Sequence, residues 1–168
     1  WQDLFESARE TTELTAMLFM ILASAAIFGH VLTVMELPSE LVASVTKAGV
    51  GSIVFILLTM GVIFILGMFL ETIAIILVTT PIILPVLDAL SIDPVWYGIL
   101  LMINLELALI TPPVGMNLFV IKGIAKAPME DVIYGILPYV LLMFLGLVIV
   151  LIFPQLALWL PATMGYGL

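Results

Sequence analysis

Thr111-Pro112-Pro113-Val114-Gly115 lies inside a long apolar run, with Asn117 just beyond it. Two adjacent prolines delete two N–H donors and crowd the preceding helical turn. Carbonyls around Ile110 and Thr111 therefore lose their helical partners. Thr111 adds a hydroxyl oxygen, Gly115 takes backbone angles that other residues avoid, and Asn117 opens the next half-helix with an amide. Carbonyls plus a hydroxyl form a hard oxygen cage of the kind Na⁺ prefers to nitrogen or sulfur, and the start of a half-helix can face an anion. The competing reading is a proline kink used only for packing. Asn104 and Glu106, one to two turns upstream, weigh against it.

A second interruption is Gly67-Met68-Phe69-Leu70-Glu71-Thr72. An ionised carboxylate inside an apolar run is expensive and marks a functional site by default. Glu71 also stands where a helix N-cap would stand, and capping is compatible with holding a cation. Glu106 reads either as part of a site or as a protonated or hydrogen-bonded packing residue. Thr79 and Thr80, before Pro81, read as hydroxyls that re-satisfy carbonyls freed by the proline. His30 reads first as a hydrogen-bonded helix residue, with a proton or substrate role as the alternative. The sequence holds no GxSxG, no HExxH, no nucleophilic cysteine and no phosphate-binding glycine loop, so no catalytic set is expected.

The elements that must position these residues belong in lipid. Of 168 residues, 64% are hydrophobic and 10% charged, against roughly 45–50% and 25% in soluble domains. Four Lys+Arg against twelve Asp+Glu leave no basic face for nucleic acid. Zero cysteines exclude disulfides and thiolate metal sites, and a single histidine argues against a multi-histidine centre. Four acids, Asp3, Glu6, Glu10 and Glu13, fall in a polar lead-in over residues 1–12 and its edge. The chain opens at Trp1 without a signal-peptide pattern, and is read as part of a longer chain or a processed product.

Apolar runs of about the length a spanning helix needs give the layout. Residues 14–35 form a transmembrane helix, in which Ala25 and Gly29 allow close helix approach. Pro38 breaks it, and Ser39 caps an interfacial helix over 39–47. Residues 49–90 hold two runs separated at 67–72. Residues 95–121 form a helix broken at 110–115, and 132–153 form the last span, ended by Pro154. Trp159 and Tyr166 in the tail suit a headgroup belt. Backbone groups freed in mid-membrane are tolerated only inside protein or beside water. Two such breaks in one chain point to a transporter site made from discontinuous helices.

The stretch from Gly67 to Ala125, densest at ITPPVGMNLFV, resembles the large membrane subunit of TRAP transporters, the DctM family, and Leu137 to Pro161 is similar to that family's C-terminal end. The resemblance implies an all-α integral membrane fold: the second inverted repeat of an elevator-type transporter, with a re-entrant helical hairpin and a discontinuous transmembrane helix. Residues 49–90 would be the hairpin, with 67–72 as its tip, and tip and break would meet to hold Na⁺. On this reading Gly67, Glu71, Thr72, Thr111, Pro112 and Gly115 serve Na⁺, and Thr111, Pro113 and Asn117 serve the substrate. That substrate would be a small carboxylate such as a C4-dicarboxylate, a keto acid or a sialic acid. A periplasmic binding protein would deliver it, and a small DctQ-type membrane subunit would accompany the permease in the bacterial inner membrane. The family often carries Asp where this chain has Glu71. If 49–90 is re-entrant, Arg9, Lys122 and Lys126 share one side and Lys47 lies opposite, which makes the larger group cytoplasmic and the C-terminus periplasmic. A crossing 73–90 with a re-entrant 95–121 also leaves the tail outside. The alternatives are a proton- or Na⁺-coupled citrate or dicarboxylate carrier of another branch, and a non-transporting scaffold subunit.

Overall fold

Several helix boundaries fall at prolines and glycines, while Pro81, Pro85, Pro138 and Pro161 lie inside helices. The computed structural model describes residues 1–165. In that range it contains α1 (Gln2–Val34), α2 (Leu37–Lys47), α3 (Ser52–Gly67), α4 (Thr72–Ala89), α5 (Pro94–Leu109), α6 (Met116–Ala125), α7 (Met129–Ile152) and α8 (Gln155–Thr163). The all-helical expectation holds. Three of these helices, α1, α4 and α7, are long and apolar enough to cross a membrane.

The polar lead-in and the first apolar run, expected as separate segments, are one helix of 33 residues. Charge alone does not stop a helix. The lead-in lacks proline and glycine, and Arg9 Nε donates to Glu13 Oε1 at 2.9 Å, one turn along. Thr11, Thr12 and Thr15 return their hydroxyl protons to carbonyls four residues back. At about 1.5 Å per residue α1 is about 50 Å long, against a hydrocarbon core of about 30 Å. His30 is exposed on it, with no side-chain hydrogen bond among the described residues.

The cap of α2 also differs from expectation. Glu36, not Ser39, is the N-cap, in the left-handed region at φ 57°. Pro38 sits in the first turn, where its missing N–H removes nothing the helix uses. Ser39 is therefore already helical.

The runs at 49–90 form two antiparallel arms. Ser52 Oγ, at the foot of α3, donates to the Leu90 carbonyl at the foot of α4 (3.0 Å). Asp93 then caps α5, its Oδ1 accepting from the Val95 and Trp96 N–H groups at 2.8 and 3.1 Å. The last expected span is α7, but Pro154 does not close the structure. It becomes the N-cap of α8, an element not expected from the tail. Trp159 is exposed on α8; Tyr166 lies outside the described residues.

Around α5 the core assembles. Phe55, Ile56, Met60 and Ile63 of α3 and Ile83, Val86 and Leu87 of α4 pack against Trp96, Leu100, Leu101 and Leu105. Two small-residue contacts bring helices close, the means available where lipid is as apolar as the side chains. A Cβ built at Gly29 would lie 3.5 Å from the Pro81 ring, so α1 rests on α4 there, as the Ala25/Gly29 spacing predicts. A Cβ built at Gly67 would lie 2.9 Å from the Ala108 Cβ, which seats the end of α3 on α5.

Two hydrogen bonds lock α5 in place. Pro154 has no N–H for the Val150 carbonyl four residues back, and the Trp96 indole Nε1 donates to that carbonyl instead (2.9 Å). Asn104, 3% exposed, donates from Nδ2 to the Met60 carbonyl of α3 at 3.0 Å.

Candidate functional site

At the break, the backbone loses its pairing over six residues. Ile110 and Thr111 close α5 with short bonds from their N–H groups to the Leu107 and Ala108 carbonyls, at 3.3 and 3.2 Å. The Thr111 hydroxyl donates to the Leu107 carbonyl as well. Pro113 stands four residues after Leu109 and has no N–H to give it. Among the described residues, the carbonyls of Leu109, Ile110, Thr111, Pro112, Pro113 and Val114 accept no hydrogen bond. Pairing resumes when the Leu118 N–H reaches the Gly115 carbonyl at 2.8 Å. The loss of partners expected near Ile110 and Thr111 thus extends through Val114.

Gly115 is buried and caps α6 at φ 51°. A Cβ there would lie 2.9 Å from the Thr111 carbonyl oxygen and 3.2 Å from that of Leu109. Two unpaired oxygens therefore crowd one glycine, so the position requires both the positive φ and the missing side chain. The Thr111 hydroxyl, having donated its proton, presents only lone pairs. Thr111 and Pro112 are half-buried, while Pro113 and Asn117 are exposed. Asn117 is the second residue of α6.

On the hairpin side, Gly67 is buried against Leu105 and Ala108, five and two residues before the break. The end of α3 thereby rests on the last part of α5, ahead of the break. Glu71 is exposed and caps α4, its Oε2 accepting from the Ala74 N–H at 3.1 Å. Thr72 is half-buried in the first turn of α4. No hydrogen bond joins Glu71 or Thr72 to the break among the described residues. Thr111 and Gly115 lie together at the break, whereas Gly67 meets Leu105 and Ala108 of α5 and Glu71 caps α4.

Three or more His, Cys, Asp or Glu side chains gather nowhere among the described residues. A cation at the break would rest on peptide oxygens and the Thr111 hydroxyl. Neutral oxygens suit a hard cation better than a transition metal that selects imidazole or thiolate. Thr79 and Thr80 differ from their expected role. Their hydroxyls donate to the Ile75 and Ile76 carbonyls, whereas the carbonyl that Pro81 frees is that of Leu77. Glu106 is exposed on the flank of α5. Asn104 and Trp96 were not among the expected site residues. Pro154 marks the Val150 carbonyl as short of a donor, but sequence spacing does not say which distant side chain supplies it.

Known proteins place the chain in context. Residues 1–156 match the family described as "Tripartite ATP-independent periplasmic transporter, DctM component". The chain is 40% identical over 163 residues to the C4-dicarboxylate TRAP transporter large permease protein DctM of Vibrio cholerae serotype O1, covering 97% of this chain and 36% of that protein. It is 40% identical over 156 residues to the protein of the same description in Pseudomonas aeruginosa, covering 93% and 36%. The sialic acid TRAP transporter large permease protein SiaM of Vibrio cholerae is 32% identical over 167 residues, covering 99% and 39%. The chain therefore spans little more than a third of the length of these relatives.

Proposed function

We infer a transport role from one premise: this chain belongs to the DctM family, the large permease component of tripartite ATP-independent periplasmic transporters, which is a transporter component and not an enzyme. The chain is the part of a permease that carries a cation-binding break and a hairpin tip. The permease moves small organic anions across the bacterial inner membrane, coupled to Na⁺. The two relatives at 40% identity are described as C4-dicarboxylate permeases, and a C4-dicarboxylate is the first substrate to test. A periplasmic binding protein delivers it, and a small membrane subunit completes the complex.

The observation that carries this reading is the row of unpaired carbonyls from Leu109 to Val114, two of which, those of Leu109 and Thr111, close on Gly115. Such a row in hydrocarbon costs several kcal/mol per group unless it lines a site or a water-filled path. Na⁺ offsets that cost by direct coordination, and the α6 N-terminus beside it favours the carboxylate of the passenger. Helix lengths support a re-entrant hairpin. At 16 residues, α3 is about 24 Å long, shorter than the hydrocarbon core, and its foot is tied to that of α4. With the hairpin on one side, Arg9, Lys122 and Lys126 lie in the cytoplasm and the C-terminus is periplasmic. An elevator-like movement of the hairpin and broken helix together would carry the site between the two faces.

The test uses the complete permease with its small subunit and binding protein in proteoliposomes. Uptake of a labelled C4-dicarboxylate is expected to require an inward Na⁺ gradient and to vanish when choline replaces Na⁺ at fixed pH. Uptake that follows a proton gradient and ignores Na⁺ would assign the chain to proton coupling instead.

A further inference from the structure

We propose that α4 is hinged between Leu77 and Pro85, and that its first turns, together with the connector over 69–71, move as a flap on a fixed hairpin foot. Three observations meet at this stretch. Pro81 has no N–H for the Leu77 carbonyl four residues back, and Pro85 has none for the Pro81 carbonyl. α4 alone among the described helices holds two interior prolines. At the end of α7 the gap left by Pro154 is closed by the Trp96 indole, whereas the side-chain hydrogen bonds nearest to this stretch go to Ile75 and Ile76 and leave both of its gaps open. Those bonds are the second observation. Thr79 and Thr80 return their hydroxyl protons one turn back, a pairing that itself bends helices and here adds to the proline kink. The third is space. A cavity of about 90 Å³ separates the stretch from α5, lined by Thr79, Thr80, Ile83, Leu87, Tyr97 and Gly98 among others. A groove of about 340 Å³ runs along its other flank, between α3 and α4, past Thr59, Val62, Thr79 and Ile82. A close-packed interior resists bending; this one leaves room on two sides.

The two sides of the hinge are held differently. Beyond it, Val86 and Leu87 are 0% and 1% exposed, and the Leu90 carbonyl accepts from Ser52 at the foot of α3. The other arm is seated as well, because Gly67 rests on α5. Before the hinge, Ile75 is the one buried side chain of α4, and Phe69 and Leu70 of the connector are exposed. At the hinge itself the Pro81 ring lies against Gly29 of α1, where no side chain obstructs a change of angle. The flap carries Glu71 and Thr72, whose hydrogen bonds do not reach the break. Its purpose rests on the proposed function: a swing brings these two residues toward the Na⁺ held at the break. The hinge does not depend on that reading, since it follows from the prolines, the threonines and the space around them.

The experiment measures distances between paired spin labels in the full-length permease, in its complex, in lipid nanodiscs. One pair joins Leu70 on the flap to Met102 on α5, and the control pair joins Leu66 on the seated arm to Met102; all three side chains are exposed. An elevator movement that carries the hairpin and α5 together alters neither distance. The Leu70–Met102 pair is expected to show two populations, and the Leu66–Met102 pair one. Replacing choline by Na⁺ is expected to favour one of the two. In the double variant Pro81→Ala, Pro85→Ala the missing N–H groups return, and the two populations are expected to collapse to one. Alanine at both positions suits a helix and asks for no extra space, so assembly is retained. A single Leu70–Met102 population in both ions would overturn the hinge. So would two populations that survive the double variant, or two populations in the control pair, which would mean that the hairpin moves as one body. Two populations that collapse in the double variant but ignore Na⁺ would uphold the hinge and remove Glu71 and Thr72 from the cation site.

Discussion

Gly115→Ala tests the carbonyl row most directly. The new Cβ would sit 2.9 Å from the Thr111 oxygen, 3.2 Å from the Leu109 oxygen and 2.9 Å from Leu118 Cδ1. Leu118 can turn aside, but the two backbone oxygens cannot withdraw without moving the break. Holding a non-glycine residue in the left-handed region costs about 1–2 kcal/mol. That strain is relieved by turning residue 115 out of φ 51° or by displacing the Thr111 carbonyl. On the proposed reading, either change shifts the oxygens that would hold Na⁺, so the cost would fall on the Na⁺-bound state. A difference of 1–2 kcal/mol is roughly a 5–30-fold loss of affinity. The assay is Na⁺-dependent uptake by the complete complex in proteoliposomes, with Gly123→Ala as control because a Cβ there meets nothing within 4 Å. The Na⁺ concentration for half-maximal uptake is expected to rise 5–30-fold in Gly115→Ala and to stay unchanged in the control, with assembly intact in both. A Gly115→Ala complex with normal Na⁺ dependence would refute the carbonyl cage.

Three further outcomes follow from named contacts. Gly67→Ala places a methyl 2.9 Å from the Ala108 Cβ; neither can swing away, so stability should drop by about 1–3 kcal/mol, and Ala108→Gly should restore it in thermal melts. Trp96→Phe strands the half-buried Val150 carbonyl and should destabilise by about 1–3 kcal/mol. Adding Pro154→Ala, which returns an N–H four residues on, should recover part of that loss; no recovery would mean the indole acts through packing alone. Glu71→Gln keeps an acceptor for the Ala74 N–H but removes the charge. Melting should barely change, whereas Glu71→Ala should cost about 0.5–2 kcal/mol; a weakened Na⁺ response in Glu71→Gln would show that the charge serves the ion.

Both interruptions were legible because proline and glycine act through their own backbone. Pro112 and Pro113 end α5 wherever they are placed, and Gly115 restarts the chain, so 110–115 emerged as expected. Glu71 was likewise readable as a cap, since capping needs only the three residues that follow. Legibility failed where a residue had two uses. Pro38 and Pro154 were read as terminators, yet proline is equally at home in a first turn or just before one. That places the α2 cap at Glu36 and makes α8 a helix. The acidic lead-in looked separate from the first span, but charge sets the solvent of a helix and not its end. The partners of Asn104 and Trp96 lie 44 and 54 residues away in the chain. Local spacing holds no record of such pairs.

The Trp96 hydrogen bond also has a mechanical meaning. It fastens the start of the broken helix to the end of the last span, at the carbonyl that Pro154 leaves without an N–H from its own helix. Asn104 fastens the other half of α5 to the first hairpin arm. Any displacement of α5 must therefore drag α3 at one flank and α7 with α8 at the other, while α1 touches this group through α2 and the Gly29–Pro81 contact on α4. Among the described residues the side-chain hydrogen bonds of α1 stay within α1, so its hold on α4 rests on packing such as Gly29 against the Pro81 ring.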